Sequence, residues 1–318
     1  MGETSQKPAL QDEAVLFTDR DIFLGLDLHP SFVPAREKLL QSLRNLGVQV
    51  KFVVYDLLPI TMPKNFPLGI EAVFTQWFNT VLQSQELICI SKAVADEINA
   101  DFLPKASGLK PMRISHFQLG CDIDSSVPTT GVDAEAELLL EQIKTSTTFL
   151  MVGTIEPRKN HEQVLLAFEQ LWSEGQDIKL VLVGKFGWNI DGLAEKLRCH
   201  QQAGLKLFWL EGISDQYLQK LYETCDALIM ASVGEGFGLP LIEAASYDLP
   251  LLATDLAVFR EVAGDYAYYF DGFAASEIKA GLVEWLGLYQ NQQHPVSTDM
   301  PYVTWQESAF QLLKLVRH

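Results

Sequence analysis

Basic residues are scarce. In 318 residues, 24 Lys and Arg stand against 41 Asp and Glu, a formal net charge of −17. No basic stripe offsets this field, which argues against a nucleic-acid partner and against broad adhesion to anionic lipid, leaving at most peripheral membrane contact. A small anionic ligand is compatible only if local cations and backbone N–H groups hold it. Cysteine is sparse too. Cys89, Cys121, Cys199 and Cys225 form no C-x-x-C pair, and Cys89 and Cys225 lie in strand-like runs, which fits small buried hydrophobes in a reducing cytoplasm. The six histidines are scattered and include no H-E-x-x-H, so no protein metal site is expected. No apolar run reaches the roughly 18 residues of a membrane span. The start, MGETSQKPALQDEA, has no apolar stretch behind a basic one and is not a secretory signal. A disordered leader is expected over residues 1–15.

What is present is regular alternation. Strand-like runs at 21–28, 48–56, 86–91 and 112–120 are separated by helical patterns at 34–47 and 71–82 and by a helix opened by Ser91. Residues 122–146 read as a linker plus a short helix. The alternation then resumes: TTFLMVG, a helix from Asn160, IKLVLVG, a helix near 191–200, LKLFWLEG, a helix at 215–223, CDALIMAS, a helix holding Glu243, LPLLATD, a helix around 258–262, YAYYFD and a helix at 275–286. Such a pattern predicts α/β architecture with parallel sheets and right-handed crossovers. Two Rossmann-like domains facing a cleft are expected, the first with four strands and the second with at least six. Ligands bind such sheets at the carboxyl ends of the strands.

Three strand ends carry candidate chemistry. In FLMVGTIEPRKNHEQ, Arg158 and Lys159 precede a helix for which Asn160 is a good N-cap. Cations beside a helix N-terminus make an anion site fit for a diphosphate; the alternative is a solvated loop. In LVGKFGW, Lys185 reads equally as a surface residue or a phosphate neighbour. VGEGFGLPLIEA fails as a dinucleotide fingerprint because Leu239 stands where the third glycine belongs, and fails as a Walker loop because no lysine follows. This disfavours a nicotinamide-dependent dehydrogenase. Gly236 and Gly238 permit close backbone approach, Pro240 suits a first helical turn, and Glu243 is expected near that turn. Glu235 and Glu243 could accept hydrogen bonds from a polyol, though each also reads as an ordinary solvated or dipole-facing carboxylate.

In that order, VGTIEPRKNH, VGKFGW, DQYLQKLYETCDALIMAS, EGFGLPLIEA and EVAGD resemble the nucleotide-sugar domain of GT-B glycosyltransferases of family 4, most closely the bacterial polysaccharide and O-antigen mannosyltransferase-like members. The resemblance implies that Glu235 and Glu243, matching the family's E-x7-E, hold the donor sugar and the ribose. It places the backbone of Gly236, Phe237, Gly238 and Leu239 at the sugar and phosphates, Arg158 and Lys159 at the diphosphate, and Ile213, in the turn 212–214, at the base. Thr154 stands where many members have an arginine. VVYDLLPITMP resembles the acceptor-side HD-x-x-P segment, with Tyr55 for His and Asp56 as a candidate whose equal alternative is a strand-end cap.

The implied domains are a shortened acceptor-side unit at 16–135, a nucleotide-sugar unit at 136–300 and a terminal helix at 301–318 that crosses back to the first. Nothing before Asp21 resembles the family's opening strand and glycine-rich loop. The expectation is therefore an incomplete first domain, in a fragment, a compact variant or a piece of a larger polypeptide. The implied activity is retaining, metal-independent and cofactor-free transfer of a hexose, GDP-mannose being the preferred nucleotide-sugar donor, to a saccharide or lipid-linked acceptor. The implied location is the cytoplasm, peripheral to the inner membrane face. The competing reading is a non-catalytic sugar-nucleotide-binding protein or inactive remnant.

Overall fold

The computed structural model describes residues 15–105, 112–121 and 128–317. The expected leader, residue 15 excepted, and stretch 122–127 of the expected linker lie outside the described residues. The first sheet has four parallel strands in the order β1 (Ile22–Gly25), β2 (Gln49–Val54), β3 (Glu86–Cys89) and β4 (Arg113–His116). The second sheet contains β5 (Thr147–Val152), β6 (Ile178–Val183), β7 (Leu207–Leu210), β8 (Ala227–Met230), β9 (Leu251–Thr254) and β10 (Ala267–Phe270). Its strands are parallel, in the order β10-β9-β8-β5-β6-β7. Helices cover both faces of a parallel sheet, so its inner strands are apolar without alternation; every residue of β6 and β8 is buried. Strand order reverses between β5 and β8, the switch point at which the following loops splay apart and leave room for a ligand.

Of the two helix caps expected, one forms and one does not. Ser91 caps the helix Lys92–Glu97 by accepting from the Val94 N–H, as expected. Asn160 does not cap the helix His161–Ser173. It takes a left-handed conformation with φ 66°, and its side-chain amide donates instead to the Phe273 carbonyl at 2.9 Å. Asn serves either purpose because its short amide tolerates the left-handed region, and the turn after Pro157–Lys159 requires that conformation.

The two sheets meet at their strand ends and share one core. Val53, Ile88, Ile90 and Phe117 of the first unit are in one apolar cluster with Leu228, Met230, Phe237 and Leu241 of the second. Polar contacts close the same seam. The Ser91 hydroxyl donates to the Gly236 carbonyl at 2.7 Å, and Glu261 accepts from the Lys92 and Ala93 N–H groups at 2.6 and 2.7 Å. Trp188 donates to the Asn65 carbonyl at 2.9 Å and stacks on Phe66. These contacts hold the two units together where their strand ends face each other.

The last helix, Trp305–Arg317, lies on the first unit. The buried Lys51 of β2 donates to the carbonyls of Leu315 and Val316 at 3.3 and 2.9 Å, satisfying acceptors that a helix end leaves free. The same ammonium pairs with the buried Glu86 at 2.8 Å, and Arg113 and Ser115 also contact that carboxylate. No helix among the described residues is long and apolar enough to cross a membrane. Removing one partner of a buried pair strands the other charge. Lys51→Met is therefore expected to cost about 3–5 kcal/mol in denaturant unfolding, with partial recovery in Lys51→Met/Glu86→Gln; a loss under about 1 kcal/mol would contradict this role.

Candidate functional site

The loops after β5 and β8 flank the switch point and are tied together, since Val233 donates its N–H to the Arg158 carbonyl at 2.9 Å. Their side chains form a nearly dry ionic cluster around Glu235. Lys159 Nζ lies 2.6 Å from Glu235 Oε1, and Arg158 Nη1 lies 2.7 Å from Oε2. The Ser232 hydroxyl donates to Oε1 at 2.7 Å. Arg158 also donates to the Gly234 carbonyl at 2.8 Å and pairs with Glu156 at 2.5 Å. Side-chain exposure is 8% for Glu235, 15% for Arg158, 11% for Lys159 and 3% for Glu156, so these pairs are far less screened than surface ones.

This geometry redistributes the expected roles. Arg158 is a brace between Glu156 and Glu235 rather than an open phosphate cation. Glu235 is no free hydroxyl acceptor: Oε1 already receives two donors, which leaves acceptor capacity mainly on Oε2. Desolvation pushes its carboxyl up, yet Lys159 and Arg158, with hydrogen bonds from Lys159 and Ser232, hold it net below its ordinary value. Burial raises Glu156 and Asp56, against the nearby Arg158 and Lys159 cations and, for Asp56, an N–H bond from Leu58. His161, two residues after Lys159, is buried, and desolvation with the Lys159 charge pushes it down to about 3, so it is neutral near pH 7.

Glu243 is the fifth residue of the helix Leu239–Ala245, just past the first turn. Its Oε2 accepts the Tyr222 hydroxyl at 2.8 Å. Desolvation raises its carboxyl, and the Tyr222 bond counters that. The Phe237 side chain is buried in the shared core, so only its backbone can face a ligand. Among the described residues, no acceptor receives the N–H groups of Gly236, Phe237 or Gly238 at this helix start. Gly238 has φ 102°, which favours glycine. Leu239 opens the helix, half-buried. Ile213 lies in the turn after β7, on a pocket of about 710 Å³ shared with Trp209, Asp133 and Leu139. Thr154 and Lys185 are exposed at the ends of β5 and β6. Asp56 reaches the cluster from the first unit and accepts the Leu58 N–H at 3.1 Å, the strand-end role weighed against a functional one.

Sequence reasoning missed Glu156, Tyr222 and Ser232. Glu156 lies in the quoted loop but looks like a solvated residue, and Tyr222 looks like a core position of an amphipathic helix. Neither carries a local sign of its partner. Among the described residues, no three His, Cys, Asp or Glu side chains converge as a metal shell would require.

Residues 140–296 match the family model described as "Glycosyl transferases group 1". The Escherichia coli serotype-specific mannosyltransferase WbdA is 45% identical over 307 residues, which cover 95% of this chain and 38% of that protein. Across three such WbdA relatives, this chain spans 36–38% of their length. The Escherichia coli O-antigen chain mannosyltransferase B is 30% identical over 54% of this chain and 45% of its own. Sucrose-phosphate synthase from Thermosynechococcus elongatus has a similar structure, with TM-score 0.69 at 16% identity over 93% of this chain and 73% of that one. At that identity the likeness is one of fold.

The site also depends on close packing between the units. A Cβ at Gly236 would lie 2.5 Å from the Tyr55 carbonyl oxygen and 3.1 Å from Asp56 Cβ. Gly236→Ala is expected to part the units and enlarge the radius of gyration in small-angle scattering. Gly192→Ala, with nothing within 4 Å of the added atom, is expected to leave it unchanged. Equal radii in all three proteins would contradict the seam described above.

Proposed function

On the premise that the chain belongs to the group 1 glycosyl transferases and has the GT-B fold, we propose that it moves mannose from GDP-mannose to a saccharide or lipid-linked acceptor in polysaccharide synthesis. The observation that carries this reading is the switch-point arrangement: a lysine after β5, and after β8 a helix start whose N–H groups have no acceptor among the described residues and a half-buried carboxylate one turn into that helix. The mannosyl group is favoured by the likeness to WbdA over nearly the whole chain.

Transfer breaks the bond from the anomeric carbon to the donor phosphate oxygen and forms one to the acceptor oxygen. Positive charge develops on the sugar and negative charge on the leaving diphosphate. Lys159 and the N–H groups of Gly236, Phe237 and Gly238 oppose the latter charge in a site with little water, where preorganised dipoles act strongly. They supply the neutralisation without calling on a metal ion or cofactor. Glu243, oriented by Tyr222, accepts from ribose hydroxyls. Glu235 accepts from the sugar through Oε2 while holding Lys159 in place. The acceptor approaches the face from which the diphosphate departs and passes its proton to the departing phosphate oxygen, so the anomeric configuration is retained. Asp56 bounds the acceptor side. The seam between the units opens to admit the donor and closes to exclude water, which would otherwise hydrolyse it. These reactants suit the cytoplasm, with contact at the inner membrane face when the acceptor is lipid-linked.

Thermal shifts with GDP, UDP, ADP and dTDP, followed by transfer of labelled mannose, test the proposal. GDP is expected to stabilise the chain most. Lys159→Ala and Glu243→Ala are each expected to weaken its binding about tenfold; folded variants with unchanged affinity would overturn the site. Tight diphosphate binding with no transfer to any acceptor would favour the non-catalytic reading.

A further inference from the structure

We propose that Lys185 is the second cation of the diphosphate site, seated beside the α-phosphate, an assignment that rests on the nucleotide-sugar reading above. Three observations converge on it. The first concerns which cations are free. Arg158 is held by Glu156, Glu235 and the Gly234 carbonyl. Turning it toward a ligand would take the cation from the buried Glu156 carboxylate and leave Glu235 with Lys159 alone, a costly change. Lys159 shares its charge with Glu235. The Lys185 ammonium, by contrast, has no ion pair or hydrogen bond among the described residues, and its side chain is exposed.

The second observation is register. β5 and β6 pair in parallel through Val152 and Val183, and the pairing resumes at Ile155 and Phe186. Thr154 and Lys185 therefore stand opposite each other between those pairs. Both are exposed, whereas Ile155, the next residue, is fully buried on the other side. Gly184 packs so closely that a Cβ there would lie 1.8 Å from the Gly153 carbonyl oxygen. Gly153 in turn lies against Lys159, whose Nζ would be 3.5 Å from a Cβ at that glycine. Lys159 and Lys185 thus border the same pair of glycines.

The third observation is strand order. Glu235 follows β8 and the turn bearing Ile213 follows β7, with β5 and β6 between them. Adjacent strands are about 4.8 Å apart, so a ligand spanning these three intervals covers about 14 Å, a reach suited to a nucleoside diphosphate sugar. With the sugar near Glu235 and the base near Ile213, the phosphates must cross the ends of β5 and β6. Lys159 meets them on the first side and Lys185 on the second.

The test compares binding of a diphosphate with binding of its own nucleoside, using whichever of GDP, UDP, ADP and dTDP binds the parent chain most tightly. Lys185→Ala is expected to weaken the diphosphate about tenfold and the nucleoside less than twofold. Moving the charge across the ladder in Thr154→Arg/Lys185→Ala is expected to recover most of the loss. Unchanged diphosphate affinity, an equal loss for both ligands, or no recovery in the double variant would overturn the assignment of Lys185 while leaving the site intact. Failure of the parent chain to bind any of the four diphosphates would overturn the nucleotide-sugar reading itself, and this inference with it.

Discussion

The Glu235 carboxylate, held between Lys159 and Arg158, organises the switch point of the second sheet. It lies almost out of water, where an unpaired carboxylate would cost several kcal/mol. The two cations offset that cost only because each is fixed in turn. Glu156 and the Gly234 carbonyl hold Arg158, and the close approach of the Lys159 stem to Gly153 confines the lysine. The loops after β5 and β8 therefore form one rigid unit, and Lys159 is aimed before any ligand arrives. Preorganisation of this kind is what makes an electrostatic site effective for transfer of a charged leaving group.

The same loop makes the seam between the units. A side chain at Gly234 or Gly236 would meet Leu58 and Met62, or the Tyr55 carbonyl and the Asp56 side chain. Ser91 and Glu261 then tie the two units together, each meeting backbone groups of the other one. Anything that moves the first unit must move against the loop that carries Glu235. The shared apolar core and these polar ties in this way couple the position of the first unit to the loop after β8.

Much of the fold was legible because it rests on local periodicity. Runs such as IKLVLV and ALIM announce buried parallel strands, and the four-plus-six division follows from counting them. Glu235, Glu243, Lys159 and Lys185 could be singled out as candidates, since a glycine-rich strand end with charged residues is a local pattern. Their partners were not. That Arg158 turns inward depends on Glu235 and the Gly234 carbonyl from the loop after β8, and that Glu243 is oriented depends on Tyr222 from another helix. Asn160 shows the limit at short range: one amide suits either a cap or a left-handed turn, and the surrounding loop decides. The seam between the units was illegible for the same reason, because Ser91 and Gly236 are far apart in sequence.

The direct test of the account is the stability difference between the parent chain and Glu235→Gln, measured by denaturant unfolding from pH 7 to pH 3. The Glu235 carboxyl is held below its ordinary value of 4.5 in the folded chain, so the folded state binds fewer protons there than the unfolded state does. Its stabilisation is complete well above 4.5 and is lost as the pH falls through the lower folded value. The parent is predicted to be more stable than the variant by about 3 kcal/mol at pH 7, with the gap closing below about pH 4.5. A gap that does not change with pH, or a variant more stable than the parent at pH 7, would contradict the central place given to this carboxylate.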